Sequence, residues 1–142
     1  MEGYNCAQAI TVAYSDLTGL SEKFSAKMAS SFGGGMGRMR EVCGAVSGML
    51  MVAGLLYGYD GPDTGLRKKE HYALVQELAA RFRQQTGSIV CREILKNPPS
   101  DPNPTPRTAE FYKKRPCAKL VLTAGRLMDE FIAAHPLEES HE

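Results

Sequence analysis

Apolar residues recur along this chain with the three-to-four spacing of helix faces, and no segment shows the period-two alternation of a half-buried strand. Cys6, Ile10, Ala13 and Leu17 form the first stripe, predicting a helix from about Asn5 to Leu17 that Gly19 stops. Ser21 offers an N-cap for a short second helix carrying Phe24, Met28 and Phe32. Gly33, Gly34, Gly35 and Gly37 interrupt the helical pattern. From about Glu41 to Tyr57 the chain is apolar on every side, the mark of a helix in the middle of a bundle. Asp60, Gly61 and Pro62 predict a turn. A long amphipathic helix follows from about Thr64 to Gln85, its stripe made by Tyr72, Val75, Leu78, Ala79 and Phe82. Gly87 ends it, and Ser88 caps a short helix from Ile89 to Leu95 that Pro98 and Pro99 prevent from continuing. Prolines 98, 99, 102, 104 and 106 predict an extended path from Asn97 to Arg115, with one helical turn from Thr108 to Lys114. The last helix is expected from Pro116, with Cys117, Leu120, Val121, Ala124, Leu127, Met128 and Phe131 as its stripe and fraying after Pro136. The pattern therefore predicts an all-α, single-domain bundle of about five or six helices over residues 1–142, with a buried, glycine-containing central helix.

A chain of 142 residues fits one hydrophobic core, and a formal charge of +1 gives no field to attract a polyanion, which excludes nucleic acid as a default partner. The uncharged run from Val42 to Tyr59 touches the lower limit of about 18 residues for a membrane span. It also holds Gly44, Gly48, Gly54, Gly58 and Ser47 and has no companion segment, so a packed core is expected and no membrane span. Met1 to Cys6 shows no secretory pattern, so a reducing cytoplasm is the expected compartment. In that setting four cysteines point to a metal, a cluster or redox-active thiols more than to structural disulfides; the plain alternative is four buried small hydrophobes.

Cys6, Cys43, Cys91 and Cys117 each fall in the first turn of an expected helix and begin its apolar stripe. The positive end of a helix stabilises a thiolate, so their pKa values are expected to fall below the free value of about 8.5. The sulfurs should face the core, and the long loops at 32–40 and 97–115 would let them meet at one end of the bundle. Zinc usually uses close C-x-x-C pairs, which are absent here, so a cluster or two dithiol pairs with three possible connectivities is preferred to zinc.

The segments Gly3-Tyr4-Asn5-Cys6-Ala7-Gln8-Ala9, Phe32-Gly33-Gly34-Gly35-Met36-Gly37-Arg38, Cys43-Gly44-Ala45-Val46-Ser47-Gly48 and Gly87-Ser88-Ile89-Val90-Cys91-Arg92, with the later Cys117, resemble the bacterial and archaeal C_GCAxxG_C_C family. The resemblance spans nearly the whole chain. It implies a redox-active protein whose characteristic cysteines are Cys6, Cys43, Cys91 and Cys117, with Gly35, Gly37 and Arg38 in the site region. Some members are labelled as relatives of split-Soret cytochromes, which favours an iron–sulfur cluster; no C-x-x-C-H motif is present, so haem is not expected. Members commonly carry a stretch ahead of the first cysteine, so a shortened first helix is expected here, and Val42-Cys43-Gly44-Ala45 fits CGAxxG rather than a literal GCAxxG.

Other candidates weigh less. The glycine run lacks a preceding strand and a G-K-[ST] ending, so no nucleotide is expected. Arg38 and Arg40 precede Cys43 and can favour a thiolate; Arg38 is preferred because the resemblance includes it. His71 is expected on the surface, and no carboxylate pair or activated serine is evident. Met36, Met39, Met49 and Met51 suit core filling better than a soft-metal site. The leading expectation is a redox or electron-transfer protein, as an oxidoreductase component or otherwise. It would use iron–sulfur cluster ligands or dithiol/disulfide pairs and exchange electrons with a partner protein or a small-molecule donor or acceptor, a homo-oligomer being compatible. The alternatives are a metal-binding protein with a four-cysteine site and a helical interaction protein whose cysteines are only core.

Overall fold

The computed structural model describes residues 3–62, 65–96, 98, 100–103 and 117–137. Helix α1, Cys6–Ala13, starts where it does because Asn5 builds a capping box: its side chain accepts from the Gln8 N–H at 2.9 Å, and the Gln8 side chain accepts from the Asn5 N–H at 3.0 Å. The single helix expected to Leu17 is broken at Tyr14, and α2, Ser15–Thr18, follows before Gly19 turns the chain at φ 80°. The Tyr14 hydroxyl is bonded to Asp129 Oδ1 at 2.6 Å and faces the Gly125 carbonyl oxygen at 2.9 Å, which ties this junction to the last helix. Helix α3, Glu22–Ala29, is capped by Ser21 as expected, but it buries Ser25 and Ala29 while Phe24 is 56% exposed. The cause is a close polar contact with α1: Thr11 Oγ1 donates to the Ser25 carbonyl at 3.1 Å and Gln8 Nε2 to that of Ala26 at 3.0 Å, leaving the inner face to small residues.

After a short 3-10 turn, Ser30–Phe32, comes the hydrogen-bonded turn α4, Gly33–Met36, in which Gly34 and Gly35 are left-handed. Helix α5, Gly44–Tyr57, is the central helix that its sequence predicts, packed against α1, against α6, Gly65–Thr86, and against the last helix, α8, Cys117–Ala134. Ala45, Val46, Met49, Val52 and Ala53 are fully buried. Gly44 and Gly48 let α1 approach: a Cβ at Gly48 would stand 2.8 Å from the Ala7 carbonyl oxygen and 2.9 Å from Ile10 Cβ. From α6 only Leu78 and Phe82 are buried, and Tyr72, expected in its stripe, is 52% exposed. The α8 stripe matches expectation except that Val121 is partly exposed. No helix among the described residues is long and apolar enough to cross a membrane. The expected turn at 108–114, the start at Pro116 and the fraying beyond residue 137 lie outside the described residues.

Two expected helix starts are corrected by one feature. Residues 41–43 do not begin α5 and residues 89–90 do not begin α7, Cys91–Ile94; they pair instead around an antiparallel bridge between Val42 and Val90. The Cys43 N–H donates to the Ile89 carbonyl at 2.7 Å and the Cys91 N–H to that of Glu41 at 2.6 Å. That makes Val42 and Val90 a pair without mutual hydrogen bonds and puts residues 41, 43, 89 and 91 on the opposite face.

Candidate thiol site

The approach to this bridge is an unusual backbone. Gly34, Gly35, Met36, Gly37 and Arg38 all have φ between 62° and 72°, and Arg40 has φ 62°. The turn is held by donation from the Arg38 N–H to Gly33 (3.3 Å), the Arg40 N–H to Gly34 (3.2 Å) and the Glu41 N–H to Gly35 (2.9 Å), each to the carbonyl oxygen. Left-handed conformation costs a non-glycine residue about 1–2 kcal/mol, so Met36, Arg38 and Arg40 are held there by their surroundings. Gly35 is needed for contact as well as for its φ: a Cβ there would lie 2.7 Å from Arg40 Cα, Cys91 Cβ and the Glu41 nitrogen. Gly37 faces open space beyond the Ser31 carbonyl oxygen at 3.9 Å, and so contributes only its conformation.

Cys6 and Cys117 open α1 and α8, Cys43 is the N-cap of α5 and Cys91 opens α7. All four are buried and none is in a disulfide. Cys43 is the hub. It is joined to Cys91 through the bridged segments, and its charge is opposed by charge on Cys91 and Cys117. Cys6 lies against the next residue, since a Cβ at Gly44 would be 3.2 Å from Cys6 Cβ.

The thiolate-stabilising effect expected at helix starts is overturned at Cys43. Burial pushes its thiol up to about 11, outweighing the backbone N–H groups of Ala45 and Val46, which act the other way. Repulsion from Cys91 and Cys117 adds to the rise. Cys91 has a different neighbour: the guanidinium of Arg40, a residue only 6% exposed, places Nη1 3.7 Å from Cys91 Sγ. Arg38, the arginine preferred on sequence, turns away and donates through Nε to the Asp101 carbonyl oxygen at 2.8 Å, with Nη2 3.8 Å from its carboxylate. It ties the left-handed turn to the 101–103 segment. On sequence Arg40 ranks second to Arg38, because nothing in its local pattern reveals that the bridge turns it onto Cys91.

Other residues lie elsewhere. His71 is partly buried rather than on the surface, in a pocket with Tyr57, Tyr59 and Leu74, and its Nδ1 is buried without a hydrogen-bond partner. Met49 is core, whereas Met39 is 59% exposed. Among the described residues no group of three or more His, Cys, Asp or Glu side chains is placed to hold a metal ion.

Fold and site together define a class, an all-α protein with buried cysteines at the starts of helices and a thiol site at the approach to its central helix. The family model "Putative redox-active protein (C_GCAxxG_C_C)" matches residues 4–131, and the chain belongs to that family. Comparison with curated proteins and with solved structures returns no match.

Proposed function

We propose that this protein carries out thiol–disulfide redox chemistry, with Cys43 and Cys91 as the dithiol and Cys117 and Cys6 beside them. The observation that carries the reading is the pairing of residues 41–43 with 89–91, which joins two cysteines from distant parts of the chain in one short bridge. Oxidation would convert the two thiols to one disulfide, releasing two protons and passing two electrons to a disulfide-containing acceptor, which leaves as two thiols. Diagonal positions of an antiparallel pair have Cα atoms roughly 7–8 Å apart, against roughly 4.4–6.8 Å across a disulfide, so closure requires the two segments to slide past one another until the diagonal shortens by about 1 Å.

The test is to purify the protein without oxygen, record its visible spectrum and iron content, and count thiols before and after treatment with oxidised glutathione. A colourless protein that loses two thiols, regains them with a reductant and yields a Cys43–Cys91 peptide supports the reading. Stoichiometric iron and sulfide with charge-transfer bands would replace it with a cluster held by the cysteines. Retention of every thiol under oxidation would leave the cysteines as core.

A further inference from the structure

The four cysteines are almost equally hidden, Cys6 at 7%, Cys43 at 4%, Cys91 at 6% and Cys117 at 8% exposure, so exposure does not decide which sulfur reacts first. One of them, Cys91, has a guanidinium against its sulfur. Arginine keeps its charge at any working pH, and the Arg40 guanidinium stands beside Cys91 Sγ at 3.7 Å. The chain maintains this placement against its local preference. Arg40 is left-handed; its N–H is bonded to Gly34, and its carbonyl oxygen accepts from the Arg92 N–H at 3.1 Å and from Arg92 Nε at 3.2 Å. Arg92 is in turn paired with the Glu41 carboxylate, and the missing side chain of Gly35 leaves the space in which Arg40 and Cys91 meet.

We propose that Arg40 is a catalytic residue that makes Cys91 the first sulfur to react, by stabilising negative charge on Cys91 Sγ during exchange with a disulfide. This rests on the dithiol reading above. Cys91, having given its proton to solvent, attacks one sulfur of the disulfide R–S–S–R; the Cys91–sulfur bond forms as the S–S bond breaks, and RS⁻ leaves and takes up a proton. Cys43, held neutral by burial, then loses its proton as its sulfur attacks Cys91 Sγ and expels the second RS⁻, which leaves protonated. Two protein thiols become one disulfide and one substrate disulfide becomes two thiols. Burial of Cys91 restricts the first step to small reagents or to moments of local opening.

The probe is dithiodipyridine, an uncharged aromatic disulfide, added in less than stoichiometric amount to the reduced full chain, with the labelled cysteine identified by peptide mass spectrometry. Cys91 should carry the first label. Arg40→Gln should slow labelling of Cys91 by about tenfold without slowing the other cysteines, and Arg40→Lys should restore most of the rate. A merely loosened fold would speed all four sites, so the ratio between sites separates a charge effect from a structural one. First labelling of another cysteine in the wild-type protein overturns the assignment, and that arm needs no variant to fold. An unchanged Cys91 rate in Arg40→Gln overturns it as well. Cys91 reacting first, slowed by Arg40→Gln but never followed by loss of a second thiol, would support the role of Arg40 and overturn the dithiol reading instead.

Discussion

At Cys43 two opposed effects act on one sulfur: N–H groups at the start of α5 favour a thiolate, burial favours a thiol, and burial wins. The sign of the pH dependence follows. Between the ordinary value of 9.0 and about 11 the unfolded chain has lost this proton while the folded chain keeps it, so folding is favoured below that window and weakens through it. The expected loss is about 1.4 kcal/mol per pH unit within the window, and Cys43→Ala should remove it. Tyr14 is raised too, by burial first and then by its bond to and the charge of Asp129, with the same sign. The measurement is therefore the difference in urea midpoint between the two proteins from pH 8 to pH 11, which cancels the tyrosine; parallel curves would remove burial of Cys43 as the cause. Gly35 tests the neighbouring backbone. Gly35→Ala combines φ 72° with three contacts at 2.7 Å, and should destabilise by about 3 kcal/mol in denaturant titration. Family resemblance puts this residue in the site region, and the physical reason lies in Cys91 and Arg40, which close over it in the fold.

At the scale of elements, α5 contains glycines that look equivalent in sequence and differ in the fold. Gly48 faces α1 with less than 3 Å of clearance, whereas a Cβ at Gly54 meets nothing within 4 Å. Gly48→Ala should push the helices apart at a cost of about 2 kcal/mol, while Gly54→Ala should stabilise the protein by about 0.5–1 kcal/mol by lowering the entropy of the unfolded chain. Thermal melts of the two variants check the opposite signs. The central helix and the α8 stripe were legible because burial on all sides and a regular apolar face are written in residue type at helical spacing. The bridge between Val42 and Val90 was not, since three extended residues on each side carry no period and the partner lies 48 positions away. The inner face of α3 was missed for a related reason: hydrophobicity favours Phe24, but the hydrogen bonds from Thr11 and Gln8 orient Ser25 and Ala29 inward. Local chemistry predicted the helices, and pairing distant in sequence determined the site.

Across the whole molecule, the proposed disulfide would join the entrance of the central helix to α7, enclosing α5 and α6 in a covalent ring over residues 43–91. Closing a loop of that length removes unfolded-state entropy corresponding to about 4 kcal/mol. Against it stands the cost of sliding the bridged segments along each other. The two bonds at that bridge, from the Cys43 and Cys91 N–H groups, contribute about 1 kcal/mol each and would be lengthened or lost. The balance favours the oxidised form by about 2 kcal/mol, which for a chain of this size raises the melting temperature by roughly 5–10 °C. Amide exchange should respond in the opposite direction at one place: the Cys43 and Cys91 N–H groups should exchange faster after oxidation while the α5 core at Val46 and Met49 slows. Scanning calorimetry and hydrogen exchange on oxidised and reduced samples read both effects. A higher melting temperature without faster exchange at the bridge would indicate a disulfide formed elsewhere among the cysteines, whereas both together require the bond to form across the Val42–Val90 bridge.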